Sequence, residues 1–332
     1  MTKAILVQSY GGPDVMQLAD VPVGEPGPGQ IRIAQTYAGV NYIDTYHRTG
    51  LYKLPVAVPG KGDIAFIPGS EGAGKVTAVG PDVTDFKVGD RVAYGNGPVG
   101  SYAAERVFPA ERTVKIPDGI TDEQAAAMML RGLTVWYLLL EIRNIKAGET
   151  VLCHAAAGGI GLLLAQWARH LGITVIGTVG SEEKVKLAKD AGCSHVILYK
   201  SEDWVAKTRE LTGGKGVSVV FDGVGKDTFM KSLDCLKPRG LLVTFGNASG
   251  PPPAFEPLVL AAKGSLMVTR PTLGHYTATR ADLLRGCEAL FSVVKSGAVK
   301  IDIGQTYPLA DAAKAHIALE SRQTTGSTVL KI

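Results

Sequence analysis

The stretch Val151–Lys184, VLCHAAAGGIGLLLAQWARHLGITVIGTVGSEEK, decides the fold because it has the pattern of a strand, a glycine-rich turn, a helix and a second strand. Its small residues Ala156, Gly158, Gly159 and Gly161 match the dinucleotide-binding pattern G-x-G-x-x-G, with alanine at the first position. Such residues let the backbone turn tightly and approach a pyrophosphate at a helix N-terminus. They could also serve close helix–strand packing alone, but the flanking strand and helix favour nucleotide binding.

The end of the second strand indicates which nucleotide is expected. That strand usually ends in an acid that binds the ribose 2′-hydroxyl of NAD, but here TVIGTV is followed by Gly180 and Ser181. The pair Glu182–Glu183 is interpreted as the acidic first turn of a helix that the serine caps. Space and Lys184 remain for a 2′-phosphate, so the sequence predicts NADPH rather than NADH. Tyr199 either contacts that phosphate or is a surface aromatic at the end of the third strand.

Length and composition limit the class of protein. The chain has 332 residues, which favours two domains, and 35 basic against 31 acidic residues give a net charge of +4. The basic residues are scattered, so no nucleic acid is expected as a partner. The widely spaced Cys153, Cys193, Cys235 and Cys287 are typical of free thiols. Without a signal-peptide pattern or a bilayer-spanning apolar run, the sequence predicts a cytoplasmic protein with no membrane insertion.

The pattern of strands and turns changes near residue 120. Before it, short Val- and Ile-rich runs between Gly and Pro predict a small all-β unit. After it, Thr121 and Gln124 form a capping-box pattern, and strand-like and helix-like segments then alternate, which is typical of a parallel sheet covered on both faces. The final segment STVLKI is a strand that must pair somewhere. We expect it to pair with the N-terminal β unit, which makes the first domain discontinuous.

Several longer motifs together resemble one family. They are AGVNYIDTYHRTGLY, IPGSEGAGKVTAVGPDVTDFKVGDRVAY, MMLRGLTVWYLL, HAAAGGIGLLLAQWARHLG, VVFDGVGKDTF, LLVTFGNASG, GSLMVTRP and GSTVLKI. Over essentially its whole length the chain is similar to the medium-chain dehydrogenase/reductase superfamily, and within it to the NADPH:quinone oxidoreductases related to ζ-crystallin. The resemblance implies an α/β fold with two domains. They are a GroES-like catalytic β domain, residues 1–122 and 271–332, and a doubly wound Rossmann NADPH-binding domain with a six-stranded parallel sheet, residues 123–270.

The same resemblance bears on metal binding. Zinc-dependent members of the superfamily place their ligands where this chain has Asn41, Ser70 and a residue near Leu130. These side chains cannot form the tetrahedron of nitrogen and sulfur ligands that zinc requires, so no metal is expected. Without a Lewis acid, oxidation of a simple alcohol is disfavoured, whereas a quinone or an activated alkene accepts hydride readily.

The resemblance also assigns cofactor-binding residues. Asn41, Thr45 and Thr134 are expected beside the nicotinamide, and the glycine-rich turn is expected at the pyrophosphate. The full set is Asn41, Thr45, Thr134, Gly158, Gly159, Ile160, Gly161, Gly180, Ser181, Lys184, Tyr199, Phe245, Gly246, Asn247, Val268, Thr269, Arg270 and Arg322.

Three residues are assigned to the substrate pocket: Asn41, Tyr46 and Tyr52. Aromatic walls with a few polar groups suit a flat quinone ring. Asn41 or Tyr46 is expected to donate a hydrogen bond to a quinone oxygen as charge develops there. The alternatives are that one tyrosine packs in the core and that Asn41 simply caps a turn.

The expected activity is reduction of quinones by NADPH, through hydride or single-electron transfer from the nicotinamide without a metal. Two alternatives stay open. The same site could reduce the double bond of an enal or enone, or the chain could be a cofactor-binding structural or RNA-binding protein, which its charge pattern does not favour. An edge strand near Leu266–Val268 is expected to pair with its twin in a homodimer.

Overall fold

The computed structural model describes residues 1–54 and 64–332, and the chain divides into two compact units. The first unit contains residues 1–133, 277–295 and 301–332, and the second contains residues 134–276 and 296–300. The domain boundaries expected from the sequence, at 122/123 and 270/271, precede the main divisions between these units and stay predictions.

Fifteen strands lie within the described residues. In chain order they are β1 Thr2–Val7, β2 Met16–Val21, β3 Gln30–Val40, β4 Glu71–Val79, β5 Arg91–Gly95, β6 Glu105–Pro109, β7 Val114–Lys115, β8 Thr150–Cys153, β9 Thr174–Val179, β10 His195–Leu198, β11 Val217–Asp222, β12 Leu236–Thr244, β13 Met267–Thr269, β14 Ile303–Pro308 and β15 Ser327–Lys331.

The same part of the chain forms ten α-helices. They are α1 Tyr42–Thr49, α2 Asp122–Trp136, α3 Gly159–His170, α4 Glu182–Ala191, α5 Trp204–Leu211, α6 Phe229–Ser232, α7 Leu258–Ala262, α8 Leu273–Tyr276, α9 Arg280–Lys295 and α10 Ala312–Glu320. Helix α2 begins at the predicted capping box, since the Thr121 N–H donates to Gln124 Oε1 and the Gln124 N–H donates to Thr121 Oγ1.

The first unit is built on antiparallel strands. Strands β1 and β2 pair with each other, and the larger sheet has the order β14-β15-β3-β4-β5-β7, with β6 also paired to β3. Strand β15 lies antiparallel to β3, with Thr328 opposite Val40. This pairing confirms the prediction that the C-terminal strand joins the N-terminal β unit. Buried and partly buried residues alternate along most of β3, as expected for a strand with one face in the core.

The second unit contains a six-stranded sheet in the order β10-β9-β8-β11-β12-β13, in which every adjacent pair is parallel. This is the predicted doubly wound order, and it reverses direction between β8 and β11. All six residues of β11 are buried, because helices cover both faces of a parallel sheet. Ligands of such sheets bind beyond the carboxyl ends of the strands, near the point where the order reverses.

Helix α1 was not identified from the sequence. Most of its buried residues are polar, namely Asp44, Thr45, His47 and Arg48, so no apolar stripe marked it as a helix. Its beginning nevertheless carries a local signal. The Asn41 N–H donates to Asp44 Oδ2 over 2.9 Å, as in a capping box, while the Asp44 N–H donates to the main-chain carbonyl of Asn41 over 3.0 Å.

Candidate functional site

The glycine-rich turn joins β8 to α3 at the carboxyl edge of the parallel sheet. Ala155 has a positive φ of 53°, and the Gly158 N–H donates to the Ala155 carbonyl over 2.8 Å. Gly158 then occupies the N-cap position of α3, so the helix begins at Gly159 with Ile160 in its first turn. The first-turn N–H groups of an α-helix have no carbonyl one turn earlier, so this end of α3 presents donors and a positive dipole end.

Gly161 makes the turn compatible with close helix–strand packing. A β-carbon at this position would lie 2.6 Å from the backbone of Ala156, closer than any real side chain approaches. Nucleotide binding and close helix–strand packing, the two explanations of the small-residue pattern, therefore both depend on Gly161. The helix can approach β8 only because residue 161 has no side chain, and this approach sets where the helix N-terminus lies.

Four residues assigned to the adenosine end meet where β9 and β10 finish. A β-carbon at Gly180 would lie 2.9 Å from Tyr199 Oη, so the tyrosine ring lies against this glycine. Ser181 is the N-cap residue of α4, as predicted, although its side chain makes no capping hydrogen bond. Lys184 lies in the first turn of α4, where its N–H donates to the Ser181 carbonyl over 3.1 Å.

A second group of assigned residues follows β12 and β13. Val268 and Thr269 belong to β13, and Thr269 is the register partner of Val243 in β12. Arg270 Nη1 donates to the Gly246 carbonyl over 3.1 Å, which ties the end of β13 to the segment that follows β12. The sheet thus brings both segments to one edge.

Within that segment, the Phe245 ring packs beside Gly223, where a β-carbon would lie 3.1 Å from it. Asn247 follows, and its carbonyl accepts the Gly250 N–H over 2.9 Å. Thr134 lies elsewhere in the second unit, near the end of α2. Its side chain is buried and hydrogen-bonded to Tyr137, whose ring stacks on Tyr276 at 4.6 Å.

The first unit contains an aromatic cluster on and beside α1. Tyr46 stacks edge-on against Tyr52 with ring centroids 5.1 Å apart, and Tyr42 lies 5.7 Å from Tyr46 on its other side. Tyr46 is buried whereas Tyr52 is half-buried, so the pair has a packed member and an accessible one. Thr45 is buried on the same helix and donates its hydroxyl to the Tyr42 carbonyl.

Arg322 lies near the start of α1, although it is distant in sequence. Burial and the neighbouring Glu320 raise the pKa of the Tyr42 hydroxyl, while the positive charge of Arg322 opposes that rise. Arg322 is exposed and has a positive φ of 59°. The fold therefore brings the predicted late arginine close to the helix that carries Thr45 and Tyr46.

The sequence did not identify Glu71 and Arg131, which enclose Asn41. Asn41 Nδ2 donates to Glu71 Oε1 over 2.7 Å, and Arg131 Nε donates to Asn41 Oδ1 over 2.9 Å. All three side chains are buried. Burial raises the pKa of Glu71 to about 7, although Arg131 and the hydrogen bonds from Asn41 and Leu130 act in the opposite direction. A charged residue inside the apolar run AAAMMLRGLTVW was a signal that could have identified Arg131.

A second polar network lies beside this group. Asp44 accepts hydrogen bonds from the Ser70 hydroxyl at 2.8 Å and the Tyr102 hydroxyl at 3.0 Å. His316 Nε2 lies 3.1 Å from the same Tyr102 hydroxyl, and its Nδ1 lies 3.0 Å from Nη1 of Arg48. Burial raises the pKa of Asp44 to about 6.

The positions compared with zinc ligands make other contacts. Asn41 and the Leu130 N–H both donate to Glu71, and Ser70 donates to Asp44. Within residues 1–54 and 64–332, no group of three or more His, Cys, Asp and Glu side chains is arranged to hold a metal ion. The predicted lack of zinc stays a prediction.

The remaining observations concern the cysteines, a buried histidine and membrane spans. The four cysteines are buried free thiols. His154, which follows β8, is buried, and its ring nitrogens lie 2.9 Å from Thr178 Oγ1 and 3.0 Å from Ser232 Oγ, so both nitrogens have partners. In the described part of the chain, each helix is too short or too polar to cross a bilayer.

Two family models match the chain. Residues 27–118 match the alcohol dehydrogenase GroES-like domain, and residues 159–284 match the zinc-binding dehydrogenase model. A quinone oxidoreductase from Pseudomonas aeruginosa is 51% identical over 330 residues, covering 99% of both chains. A 2-haloacrylate reductase from a Burkholderia species is 46% identical, again covering 99% of both.

A solved structure agrees with these relatives. The structure of Escherichia coli quinone oxidoreductase complexed with NADPH superposes with a TM-score of 0.95 at 44% identity, covering 99% of this chain and 100% of that one. The match includes both the GroES-like and the Rossmann-like parts, which confirms the predicted fold class. The chain belongs to the quinone oxidoreductase family.

Proposed function

We propose that this chain is an NADPH-dependent reductase of quinones. The observation that carries the proposal is the adenosine end of the parallel sheet, where Gly180 and Ser181 replace the usual acid and Lys184 occupies the first turn of α4. A carboxylate at the strand end would repel a 2′-phosphate, whereas a lysine at a helix N-terminus attracts one. A relative that is 44% identical was solved with NADPH, which supports the same choice.

The residues of the second unit fit a dinucleotide. The N-terminus of α3 offers donors for a pyrophosphate, and Gly161 keeps that N-terminus close to the sheet. The Tyr199 ring lies against Gly180 and forms one wall for an adenosine ribose phosphate. Arg270, held by the Gly246 carbonyl, lies at the same edge of the sheet and adds positive charge there.

The first unit supplies the groups assigned to the substrate. When bound, the reduced nicotinamide supplies hydride. Tyr46 and Tyr52 offer an aromatic surface for a flat ring, and Asn41 offers a hydrogen-bond donor for an oxygen that becomes negative. Tyr46 is buried and packs between its neighbours, so Tyr52 is the more accessible contact for a substrate.

A second candidate is reduction of a polarised carbon–carbon double bond. The 46% identical relative from Burkholderia is a 2-haloacrylate reductase, whose name identifies such a substrate. An enal and a quinone both place an electrophilic carbon conjugated with an oxygen that gains negative charge, so one donor group suits both.

The test of cofactor choice is Lys184→Ala, compared with the wild type on NADPH and NADH. Loss of the ammonium should lower kcat/KM for NADPH about tenfold or more and leave the value for NADH within about twofold. Lys186→Ala is the matched control, because Lys186 is on the same helix and pairs with Asp190 at 2.5 Å. An equal loss with both cofactors would contradict the role of Lys184.

The identity of the electron acceptor is tested with the wild-type protein. Steady-state rates with 1,4-benzoquinone, 9,10-phenanthrenequinone and 2-alkenals, all with NADPH, separate the two candidate functions. The proposal expects the quinones to have the higher kcat/KM. Higher values for the alkenals would favour the second candidate.

The proposed assembly is a homodimer formed at β13. Strand β13 lies at one edge of the six-stranded sheet, and its first residue, Met267, is 47% exposed. An unpaired strand edge is a template for pairing with a second copy. Light scattering should give twice the chain mass for the wild type and a lower mass for Met267→Asp, whereas a monomeric wild type would contradict the proposal.

A further inference from the structure

Asn41 is held at both ends of its amide by oppositely charged partners. Asn41 Nδ2 donates to Glu71 Oε1 over 2.7 Å, and Asn41 Oδ1 accepts from Arg131 Nε over 2.9 Å. Glu71 is 0% exposed and Arg131 is 6% exposed. Inside a protein such charge-assisted bonds are stronger than neutral ones, and water does not compete for them.

These partners allow only one orientation of the amide. A carboxylate accepts hydrogen bonds and a guanidinium only donates them. Rotating the Asn41 amide by half a turn would place its oxygen against Glu71 and its NH₂ group against Arg131, losing both bonds and leaving buried groups unsatisfied. The side-chain amide of a solvent-exposed Asn or Gln lacks this constraint, since water can bond both its oxygen and its NH₂ group in either orientation.

The backbone fixes both partners in turn. Glu71 Oε2 accepts the Leu130 N–H over 2.7 Å, which links β4 to α2. Arg131 Nη2 donates to the Val40 carbonyl over 2.6 Å, immediately before Asn41. Each partner therefore uses one group to hold the amide and another to hold the main chain, so the arrangement is pre-organised.

We infer that Glu71 and Arg131 are positioning residues that fix the Asn41 amide so that its second Nδ2 hydrogen points at the acceptor oxygen of the substrate. We call the three side chains Asn41, Glu71 and Arg131 the amide clamp. This inference rests on the proposed function, because it takes Asn41 as the donor to that oxygen. A donor already fixed before charge develops needs no reorganisation during the reaction, which is how such a group lowers the barrier.

A double-mutant cycle separates positioning from a general structural role. Glu71→Gln keeps the shape but removes the charge and lets the new amide present either end. We expect it to lower kcat about tenfold while KM for NADPH stays within about twofold. In an Asn41→Ala background the same substitution should change kcat by less than about twofold, because its effect passes through Asn41.

The orientation of the Asn41 amide can also be measured without catalytic turnover, by NMR. The side-chain NH₂ signals of Asn41 in a ¹⁵N–¹H spectrum are identified by their loss in Asn41→Asp. In the wild type without cofactor they should exchange slowly with solvent and lie apart from the surface amides, and Glu71→Gln should move them and speed their exchange. Glu105→Gln is the matched control, because Glu105 lies on β6 of the same unit, and it should leave them unchanged.

The outcomes are distinct. Equal losses of kcat from Glu71→Gln in both backgrounds, or Asn41 signals that Glu71→Gln does not move, would overturn the clamp. If Glu71→Gln does not fold, Arg131→Lys gives the same cycle from the other end, since lysine keeps the charge but lacks the fork of donors. A wild type that reduces alkenals and not quinones would defeat the proposed function alone, and the cycle run with a 2-alkenal would then decide the clamp.

Discussion

Gly161 shows how one absent side chain determines the geometry of a binding turn. A β-carbon added at this position would meet the Ala156 backbone at 2.6 Å, and backbone atoms cannot move aside as a flexible side chain can. We predict that Gly161→Ala pushes the N-terminus of α3 away from β8, destabilising the fold by about 1–3 kcal/mol. The dissociation constant for NADPH, followed by its fluorescence, should rise at least about fivefold because the N–H donors move with the helix.

Gly24→Ala is the control for this change, because a β-carbon at Gly24 meets nothing within 4 Å. It should leave both the unfolding temperature and the NADPH affinity as in the wild type. If Gly161→Ala has the stability and the NADPH affinity of the wild type, the backbone of the turn can move enough to accommodate a β-carbon, which would contradict the prediction.

His47 should make stability depend on pH. Burial lowers the pKa of this histidine from 6.5 to about 4 in the folded chain, so the unfolded chain binds the proton more tightly. Stability from neutral His47 is therefore fully present above pH 6.5 and is lost as the pH falls through 4. The loss is up to about 3 kcal/mol, at 1.36 kcal/mol for each pKa unit.

The measurement is urea unfolding of the wild type and His47→Phe at several pH values. The free energy of unfolding of the wild type minus that of the variant should decrease as the pH falls from 6.5 to 4. This decrease is expected for any value of the difference at pH 7. A constant difference over that interval would show that His47 does not remain neutral in the folded chain.

Among the elements, α1 and α10 are joined by an ion pair whose arginine is buried. Arg48 on α1 forms two hydrogen bonds with the Glu320 carboxylate at the end of α10, at 2.9 and 2.7 Å. The Arg48 side chain is 1% exposed and that of Glu320 is 33% exposed. Because α1 carries Thr45 and Tyr46 and Arg322 follows α10, this pair fixes the relative position of groups assigned to the site.

We predict that Arg48→Met destabilises the protein by about 3 kcal/mol, because it leaves a partly buried carboxylate and the ring of His316 without their cation. Lys207→Met provides the comparison, since Lys207 and Glu210 form an exposed pair on α5 that is worth less than about 1 kcal/mol. Chemical denaturation measures both. Equal small effects would mean that the α1–α10 link contributes little.

The helices and strands differ in how well they could be predicted from the sequence. The strands of the parallel sheet and helix α3 follow from local patterns of apolar and small residues, and these predictions were confirmed. Helix α1 was missed because its buried face is polar and is satisfied by distant partners such as Ser70 and Tyr102. No periodicity within residues 42–49 could reveal those partners.

Across the whole molecule, the groups of residues assigned in the two units differ in the same way. The glycine-rich turn and the Gly180–Lys184 segment are contiguous in sequence, so their pattern predicts their chemistry. Asn41, Glu71 and Arg131 come together only through the pairing of β3 with β4 and the packing of α2 on that sheet. Such contacts depend on the tertiary fold, so a single sequence offered only an unexplained charge in an apolar run.

The proposed function is the transfer of reducing equivalents from NADPH to a quinone. The most direct measurement is an anaerobic titration in which NADPH oxidation and hydroquinone formation are followed together with limiting 1,4-benzoquinone. We predict enzyme-dependent consumption of one NADPH for each hydroquinone formed, with NADH reacting at least about tenfold more slowly at equal concentration. NADPH oxidation no faster than without the protein, or equal rates with both cofactors, would contradict it.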